Sequence, residues 1–495
     1  MDLAIIDLVI FFLYMTGIVV FGASFYLRKK TSFDFVSGGG KLPSWAIGMS
    51  IFATFVSSIS FLALPGSAYQ NNWNGYGLSL SIPVAALIAV KYFVPLYRRI
   101  NKVSAYHFLE TRFGPWARVY ASACYLLTQL ARMGAVMYLL ALPLSVLLGW
   151  SIPVIIVITG ISVIVYATLG GLEAVIWTDA IQGIVLIMGA VLCPVIILFS
   201  MPEGPGQVFT IAWENQKFSL GSLDSSLTES TFWVVLFYGL FINLQNFGID
   251  QNYVQRYISA KTEREAKKAT WLGSMLYLPV SALFFFIGTA LYAYYTAMPD
   301  LLPGDLRGPG SADKIFPYFI VSKLPTGLTG LLIASIFAAG MSTISTSINS
   351  SATVILEDHV KKYINKDLSE NRIMQTLRAA SIGMGVLSIV VALSLNGVAS
   401  ALDAYWALAS IFSGGILGLF LLAYLGKNVR RAYAVIGVVI GVVVIAWMSL
   451  SPIIFASGPL RSPFHANLTI IFGTLVIFLT GFLLSVLFGS QKSAK

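Results

Sequence analysis

The sequence AAGMSTISTSINSSATVILED, at residues 338–358, decides how the rest of the chain is interpreted. It lies in a segment apolar enough to cross a bilayer, yet hydroxyl and amide side chains crowd into it. At helical spacing i, i+3, i+4 and i+7, one stripe is formed by Ser342, Ser345, Thr346 and Asn349. Hydrocarbon offers such groups no partner, so the stripe must face other helices, a water-filled cavity or a bound ion. Close helix packing with hydroxyls bonded to their own helix also fits this pattern.

The composition is that of an all-α polytopic membrane protein, because 57% of the 495 residues are hydrophobic and only 11% are charged. We interpret residues 1–495 as one integral membrane domain. Thirteen segments can span the bilayer: 5–27, 44–70, 76–97, 117–148, 151–169, 174–199, 231–254, 268–295, 329–356, 376–395, 401–425, 432–450 and 466–488. The first segment lacks a basic leader and a cleavage site, so we expect it to be retained.

The net charge of +10 reflects membrane topology rather than a nucleic-acid site. Most Lys and Arg residues fall in alternate loops, including Arg256 and Lys261 in the loop after segment 231–254. The positive-inside rule then predicts an outside N-terminus and a cytoplasmic C-terminus.

We number the predicted spans as helices 0 to 12, starting with 5–27 as helix 0. Two of them, helices 1 and 6, carry signs of a break. Helix 1 (44–70) has a polar middle at Ala53–Ser60 followed by Pro65, which predicts a break or a simple proline kink. Helix 6 (231–254) is interrupted by the amide-rich run Asn243–Asn252. Carbonyls freed at membrane depth are tolerated only around a cavity or an ion.

The two interrupted helices each open a block of five, helices 1–5 and 6–10. Because five is odd, the blocks have opposite orientations in the membrane. This is the inverted-repeat architecture of secondary transporters. It divides the chain into residues 1–43, a first repeat at 44–199, a second at 231–425 and C-terminal helices at 432–495. The outside loop 296–328 is either a lid or a plain connector.

Two charged residues lie inside predicted spans, where they need a partner or a task. Arg132 is central in helix 3, so it either has a functional role or is satisfied by helix-end carbonyls or by Asp179. Asp179, in helix 5, is either favoured by a helix dipole or neutralises a cation.

The chain resembles the sodium/solute symporter family over essentially its whole length. Four motifs in order carry the resemblance: Ala53–Ser60, Ile176-Trp177-Thr178-Asp179-Ala180-Ile181-Gln182, Tyr253-Val254-Gln255-Arg256-Tyr257, and Ile336-Phe337-Ala338-Ala339 leading into Ser342–Ser350. The resemblance implies a LeuT-type fold with two inverted five-helix repeats, one N-terminal helix and two C-terminal helices. It also implies a bacterial inner-membrane symporter, expected to function as a monomer among membrane lipids.

The resemblance implies sodium sites between helix 1 (44–70) and helix 8 (329–356), which carries the hydroxyl stripe. The core site would use the backbone oxygens of Ala53 and Val56 with the hydroxyls of Ser342, Ser345 and Thr346. An all-oxygen cage of this kind suits a hard cation. Some members bind a second sodium beside helix 5; its ligands here would be Asp179 with Ser342 and Ser345, and Thr346 is an optional further ligand. We therefore expect two sodium ions.

The resemblance also implies a substrate pocket between helices 1, 2, 3 and 6. Its residues would be Phe55, Ser57, Ser58, Ser60, Ser79, Arg132, Asn243 and Asn246. Arg132 resembles the arginine with which bacterial sialic acid symporters bind a carboxylate, and its planar fork suits a carboxylate bidentately. Phe55 and Ser79 depart from that pattern, which has Thr and Gln. We expect an acidic sugar, with sialic acid the best single candidate and a neutral sugar or another small carboxylate as the alternative.

Other classes of protein fit the sequence less well. The three histidines are isolated and no nucleotide-binding Gly-rich motif occurs, which disfavours an enzyme. A sensor input domain is disfavoured because the chain ends soon after its last predicted helix. A channel is disfavoured because broken helices around a midplane site favour alternating access.

Overall fold

The computed structural model describes residues 4–27, 31–308, 311–396, 415–426 and 428–488, and this part of the chain is helical without named strands. The first half contains α1 (Ile5–Ser24), α2 (Ser32–Ser37), α3 (Ser44–Phe55), α4 (Ser58–Gln70), α5 (Tyr76–Leu80), α6 (Ile82–Ile88), α7 (Val94–Ile100), α8 (His107–Phe113), α9 (Pro115–Leu148), α10 (Ile152–Phe199) and α11 (Gly206–Glu214). The second half contains α12 (Phe232–Ile249), α13 (Gln251–Ser259), α14 (Glu263–Ala297), α15 (Ala312–Lys323), α16 (Leu328–Val354), α17 (Glu370–Ser394), α18 (Gly415–Leu425), α19 (Arg431–Ile454) and α20 (Leu468–Phe488). Two π-helical segments, Ala89–Phe93 and Ile355–Ile364, join α6 to α7 and extend α16.

Ten helices in the described residues are long and apolar enough to cross a membrane, or eleven when α3 and α4 count as one bent span. The predicted number of thirteen is therefore not confirmed. The predicted spans 151–169 and 174–199 lie in α10, which is kinked where Gly171 adopts a φ of +63°. Most of the predicted span 401–425 lies outside the described residues.

Helix 1 is broken, but the proline does not break it. Val56 and Ser57 are extended, with ψ values of 121° and 171°, and the two halves are bent by 53°. Pro65 lies inside α4. The break occurs at Ser57 because its hydroxyl accepts the backbone N–H of Ser60 while the Ser60 hydroxyl accepts that of Ser57. This reciprocal capping box starts a new helix.

Helix 6 is broken at Asp250, within the predicted amide-rich run. Asp250 is extended (ψ 126°), and its carboxylate accepts the backbone N–H of Asn252 at 2.7 Å, which caps α13. The break therefore places a carboxylate at membrane depth. All nine residues of α13 are buried.

The helix that carries the hydroxyl stripe, α16, is the central element of the structure. In its most apolar stretch of 18 residues, 94% of the residues are buried. The helix packs against α1, α3, α9, α10 and α17. Its N-terminus is capped by the N-terminal helix, because the Asp7 carboxylate accepts the backbone N–H groups of Gly327 and Gly330 at 2.7 and 2.8 Å. The stripe is thus held in the middle of the bundle.

The described part of the loop 296–328 contains helix α15, which packs on α4. This helix places Phe316 against Phe61, with ring centroids 5.8 Å apart. Lys217 lies in the loop between α11 and α12. Its ammonium donates to the carbonyls of Tyr69 and Asn71, at the C-terminal end of α4, at 2.7 and 2.9 Å. Both contacts hold α4, the C-terminal half of the broken helix.

Candidate functional site

The carbonyls at the end of α3 are reached by side chains from other helices. Because Val56 and Ser57 are extended, the last turn of α3 lacks its usual backbone donors. The Ser342 hydroxyl donates to the Ala53 carbonyl at 2.8 Å. The Arg132 guanidinium donates to the Thr54 carbonyl at 3.2 Å. The break in helix 1 thus becomes the meeting point of α3, α9 and α16.

The hydroxyl stripe divides its bonds between its own helix and its neighbours. Ser345 donates to the Ser342 carbonyl at 3.2 Å, as close packing predicts. Thr346 instead lies with its Oγ1 3.3 Å from the hydroxyl of Thr54 on α3. Both amide atoms of Asn349 are buried and have no hydrogen-bond partner within the described residues. The structure therefore brings Ser342 and Thr346 of the predicted core site against α3, at Ala53 and Thr54. Val56 is buried at the break, and Ser345 is buried on the same helix as Ser342 without a hydrogen bond to α3.

Asp179 forms a fully buried ion pair with Arg256. The Arg256 Nη2 lies 2.8 Å from the Asp179 Oδ2, and both side chains have no exposed surface. The same oxygen accepts from the Ser50 hydroxyl at 2.6 Å and from the Thr346 hydroxyl at 3.3 Å. Asp179 therefore neutralises a cation, as one of the two sequence interpretations held. That cation is a guanidinium in this conformation.

The position of Arg256 corrects the sequence interpretation, which placed it in a cytoplasmic loop. The predicted span ended at residue 254, but α13 continues to Ser259 and buries the arginine completely. Its guanidinium also donates to the Thr346 hydroxyl and the Asn252 carbonyl, each at 2.7 Å. A signal was present, because Arg256 follows Asn252 by one helical turn in an amide-rich segment.

Arg132 is satisfied in part by a helix-end carbonyl, whereas Asp179 pairs with Arg256. Arg132 is half-buried, and it interacts electrostatically with the Asp250 carboxylate at the break of helix 6. Gln129, one turn before it, donates to Asp250 at 3.5 Å and accepts from Ser347 at 2.7 Å. Arg132 therefore lies between the two broken helices, with an acidic group on one side and carbonyls on the other.

The predicted aromatic residue of the pocket, Phe55, lies in a cluster of rings. Its centroid is 4.4 Å from that of Tyr277, 5.6 Å from Phe247 and 6.5 Å from Tyr253. The rings come from α3, α12, α13 and α14, so they cover the break of helix 1 from one side. The cluster was not predicted, because its members are far apart in sequence.

The remaining predicted pocket residues do not share one set of hydrogen-bond partners. The Ser57 and Ser60 hydroxyls are used in the capping box, and Ser58 donates to the Val136 carbonyl at 3.5 Å. Ser79 accepts from Ser281 at 2.9 Å, and Asn243 donates to Ser81 at 3.0 Å. Asn246 is half-buried on α12. Ser79 and Asn243 thus tie α5 to α14 and α12, whereas the three serines of helix 1 follow Thr54, whose carbonyl accepts from Arg132.

The comparisons with known proteins agree with this architecture. A model of the sodium:solute symporter family matches residues 35–441. The chain belongs to the sodium:solute symporter family.

Two relatives and one solved structure are similar to this symporter over nearly its whole length. The sodium/sialic acid symporter NanT of Aliivibrio fischeri is 33% identical over 98% of this chain and 93% of its own. The sodium/sialic acid symporter SiaT of Proteus mirabilis is 35% identical over 90% of this chain and 89% of its own. A solved structure, described as the substrate-bound outward-open state of a Na⁺-coupled sialic acid symporter, shares 32% identity. It has a TM-score of 0.90 and covers 98% of both chains.

These findings confirm the family and the LeuT-type fold of the sequence interpretation. The symporter is a multi-pass membrane protein that uses sodium. The number of sodium ions, the individual ligands and the orientation of the termini stay predictions.

Proposed function

We propose that this symporter imports an acidic sugar, sialic acid in the first place, by sodium-coupled alternating access. The observation that carries the proposal is Arg132, a cation of α9 that contacts the Thr54 carbonyl at the break of helix 1. A guanidinium has five N–H donors, so it can bind a carboxylate with two parallel bonds while keeping other contacts. The names of the two bacterial relatives support this substrate class.

We place the carboxylate of the substrate between Arg132 and the serines of the break. Ser57, Ser58 and Ser60 are within one helical turn of one another, and their hydroxyls can exchange their present bonds for bonds to an anion. Phe55 lies at the same level on α3 and offers the apolar face of its ring to the sugar. Asn243 and Asn246 would supply amide contacts from the facing half of helix 6.

We propose that one sodium binds where α3 meets α16. Its ligands would be the carbonyls of Ala53 and Val56 and the hydroxyls of Ser342, Ser345 and Thr346. The 2.8 Å bond between Ser342 and Ala53 supports the site, because it brings two of the proposed oxygen ligands into contact. Oxygen donors without a carboxylate suit a hard monovalent cation. A sodium ion there would link the break of helix 1, which borders the proposed substrate pocket, to the central helix α16.

We propose a second sodium beside Asp179, with Ser342 and Ser345 as further ligands. The Asp179 Oδ1 is buried without a hydrogen-bond partner within the described residues, so it can accept a cation. Arg256 holds the other oxygen in this conformation. Binding of the second ion therefore requires Arg256 to share or release the carboxylate. This makes α13 a part of the coupling machinery.

The energetics of this stoichiometry suit the accumulation of an anion. Two sodium ions with one monoanion move a net charge of +1, worth about 2.3 kcal/mol per 100 mV. A tenfold sodium gradient adds about 1.4 kcal/mol per ion. The sum of roughly 5 kcal/mol supports more than a thousandfold accumulation. With one sodium the voltage contribution vanishes, so the second site matters most for a charged substrate.

Uptake of labelled sialic acid into vesicles containing the purified symporter tests the proposal. We expect uptake that saturates, requires an inward sodium gradient and stops when choline replaces sodium. Unlabelled acidic sugars should compete, whereas neutral sugars and short monocarboxylates should not. Competition by a neutral sugar alone would contradict the role of Arg132, and flux that does not saturate would indicate a channel.

A further inference from the structure

A cavity of about 440 Å³ lies at the predicted cytoplasmic side, away from the sodium and substrate residues. Its walls come from the segment 102–110, the start of α9 at Pro115 and the π-helical extension of α16 with Lys366. It therefore joins the loop before α9 to the end of the helix that carries the hydroxyl stripe.

The cavity carries an excess of positive charge. Its cations are Lys102, Arg118, Lys361, Lys362 and Lys366, and its carboxylates are Glu110 and Glu357, with Asp358 buried behind them. Five positive and three negative charges leave a net charge of +2. Burial and the nearby Arg118 guanidinium lower the pKa of His107, so this residue does not add to the charge at neutral pH.

Three of the cations are already paired. Arg118 donates to Asp358 and to Glu110, each at 2.7 Å. Lys362 also bonds to Glu110, and Lys361 lies 2.6 Å from Glu357. Although burial would raise it, the bonds from Lys362 and Arg118 lower the pKa of Glu110, which therefore stays ionised. These pairs line the cavity.

The other two cations, Lys102 and Lys366, pair with no carboxylate within the described residues. Both side chains are exposed at the rim of the cavity. The N-terminus of α9, a 34-residue helix, adds the positive end of its dipole at Pro115. The unpaired charge of the site therefore faces the open side of the cavity.

We propose that this cavity binds the phosphate of an anionic phospholipid headgroup through Lys102 and Lys366. Lysine binds phosphate as a point charge, and basic pockets between membrane helices on the cytoplasmic side suit anionic headgroups. A lipid is favoured over a soluble anion because Tyr363 and Ile364, which follow the paired lysines, expose 55% and 77% of their surface. Apolar groups this exposed beside a spanning helix suit the bilayer interface.

The bound headgroup would bridge two parts of the symporter. Lys102 belongs to the segment before α8, and Lys366 follows the π-helical extension of α16. Neutralising both lysines removes their mutual repulsion, so the lipid stabilises the contact between the α8–α9 region and the end of α16. The cavity is thus a site at which membrane composition acts on the central helix.

Thermal unfolding of the purified full chain in detergent, titrated with short-chain phosphatidylglycerol, tests this site. Phosphatidylcholine with the same acyl chains is the reference, and sodium and substrate are omitted, so the result does not depend on transport. We expect the Lys102→Gln/Lys366→Gln variant to bind phosphatidylglycerol on the order of tenfold more weakly. The Lys102→Arg/Lys366→Arg variant should bind as the wild type does.

The matched control is Lys267→Gln/Lys268→Gln, which removes two cations from the same predicted side at the start of α14. It should bind phosphatidylglycerol as the wild type does. Equal weakening in this control would overturn the proposal, because the effect would then be general electrostatics. An equal stabilisation by inorganic phosphate at the same concentration would overturn the lipid as the source.

Discussion

Replacing Arg256 by glutamine separates the role of the buried ion pair from that of a bound sodium ion. The substitution leaves the Asp179 carboxylate at membrane depth without its cationic partner. Breaking a buried pair by removal of one partner costs about 3–5 kcal/mol. Asp179 keeps its bonds from Ser50 and Thr346, so we expect the lower end of that range, about 3 kcal/mol, in sodium-free buffer.

Sodium should restore much of this loss if the ion binds at Asp179. A ligand at one hundred times its Kd stabilises the folded state by about 2.7 kcal/mol, which nearly offsets the cost of the substitution. In Arg256→Gln, the carboxylate has no competing guanidinium. The gain from sodium should therefore be larger in this variant than in the wild type.

The assay is thermal unfolding followed by tryptophan fluorescence, with choline replacing sodium at constant ionic strength. The control is Arg256→Gln/Asp179→Asn, which removes both charges and keeps the proposed core site. Its gain from sodium should be no larger than that of the wild type. The reasoning is refuted if Arg256→Gln is as stable as the wild type without sodium, or if the double variant retains the extra sodium effect.

Three further predictions concern single contacts. Arg132→Ala should abolish uptake of an acidic sugar while sodium-dependent stabilisation persists. Arg132→Lys should retain only part of the uptake, because an ammonium cannot bind a carboxylate bidentately. Undiminished uptake by Arg132→Ala would exclude the carboxylate role. Ser342→Ala removes the bond to Ala53 and one proposed ligand, so half-maximal uptake should need several-fold more sodium, roughly 1 kcal/mol; an unchanged sodium dependence would reject the core site. Lys217→Met should lower the free energy of unfolding by about 1.5–3 kcal/mol, because it leaves the last carbonyls of α4 without their charged donor; a thermal midpoint equal to that of the wild type would contradict this.

The sequence was sufficient to predict the breaks of helices 1 and 6, because polar side chains inside an apolar span have few tolerable positions. It did not predict where helix 1 breaks. Pro65 is the conspicuous residue, yet a proline in a membrane helix is often accommodated. The capping box of Ser57 and Ser60 is the actual cause, and it is a weak pattern in a run that contains four hydroxyls.

The ion pair between Asp179 and Arg256 was beyond sequence reasoning for a different reason. Charge counting assigns an arginine at the end of a span to the adjacent loop, since most arginines there reach water. Arg256 is an exception because α13 continues inward after the break at Asp250. Only the three-dimensional path of the chain shows that residues 77 positions apart meet in the core.

The Asp7 cap on Gly327 and Gly330 links the first helix of the chain to the start of α16. Both amides of that N-terminus donate to one carboxylate oxygen, Oδ1 of Asp7. Expression vectors that trim the first residues of the chain, or that fuse a bulky reporter close to Asp7, would therefore loosen α16 at its N-terminal end. Purification tags and fluorescent labels are better attached elsewhere.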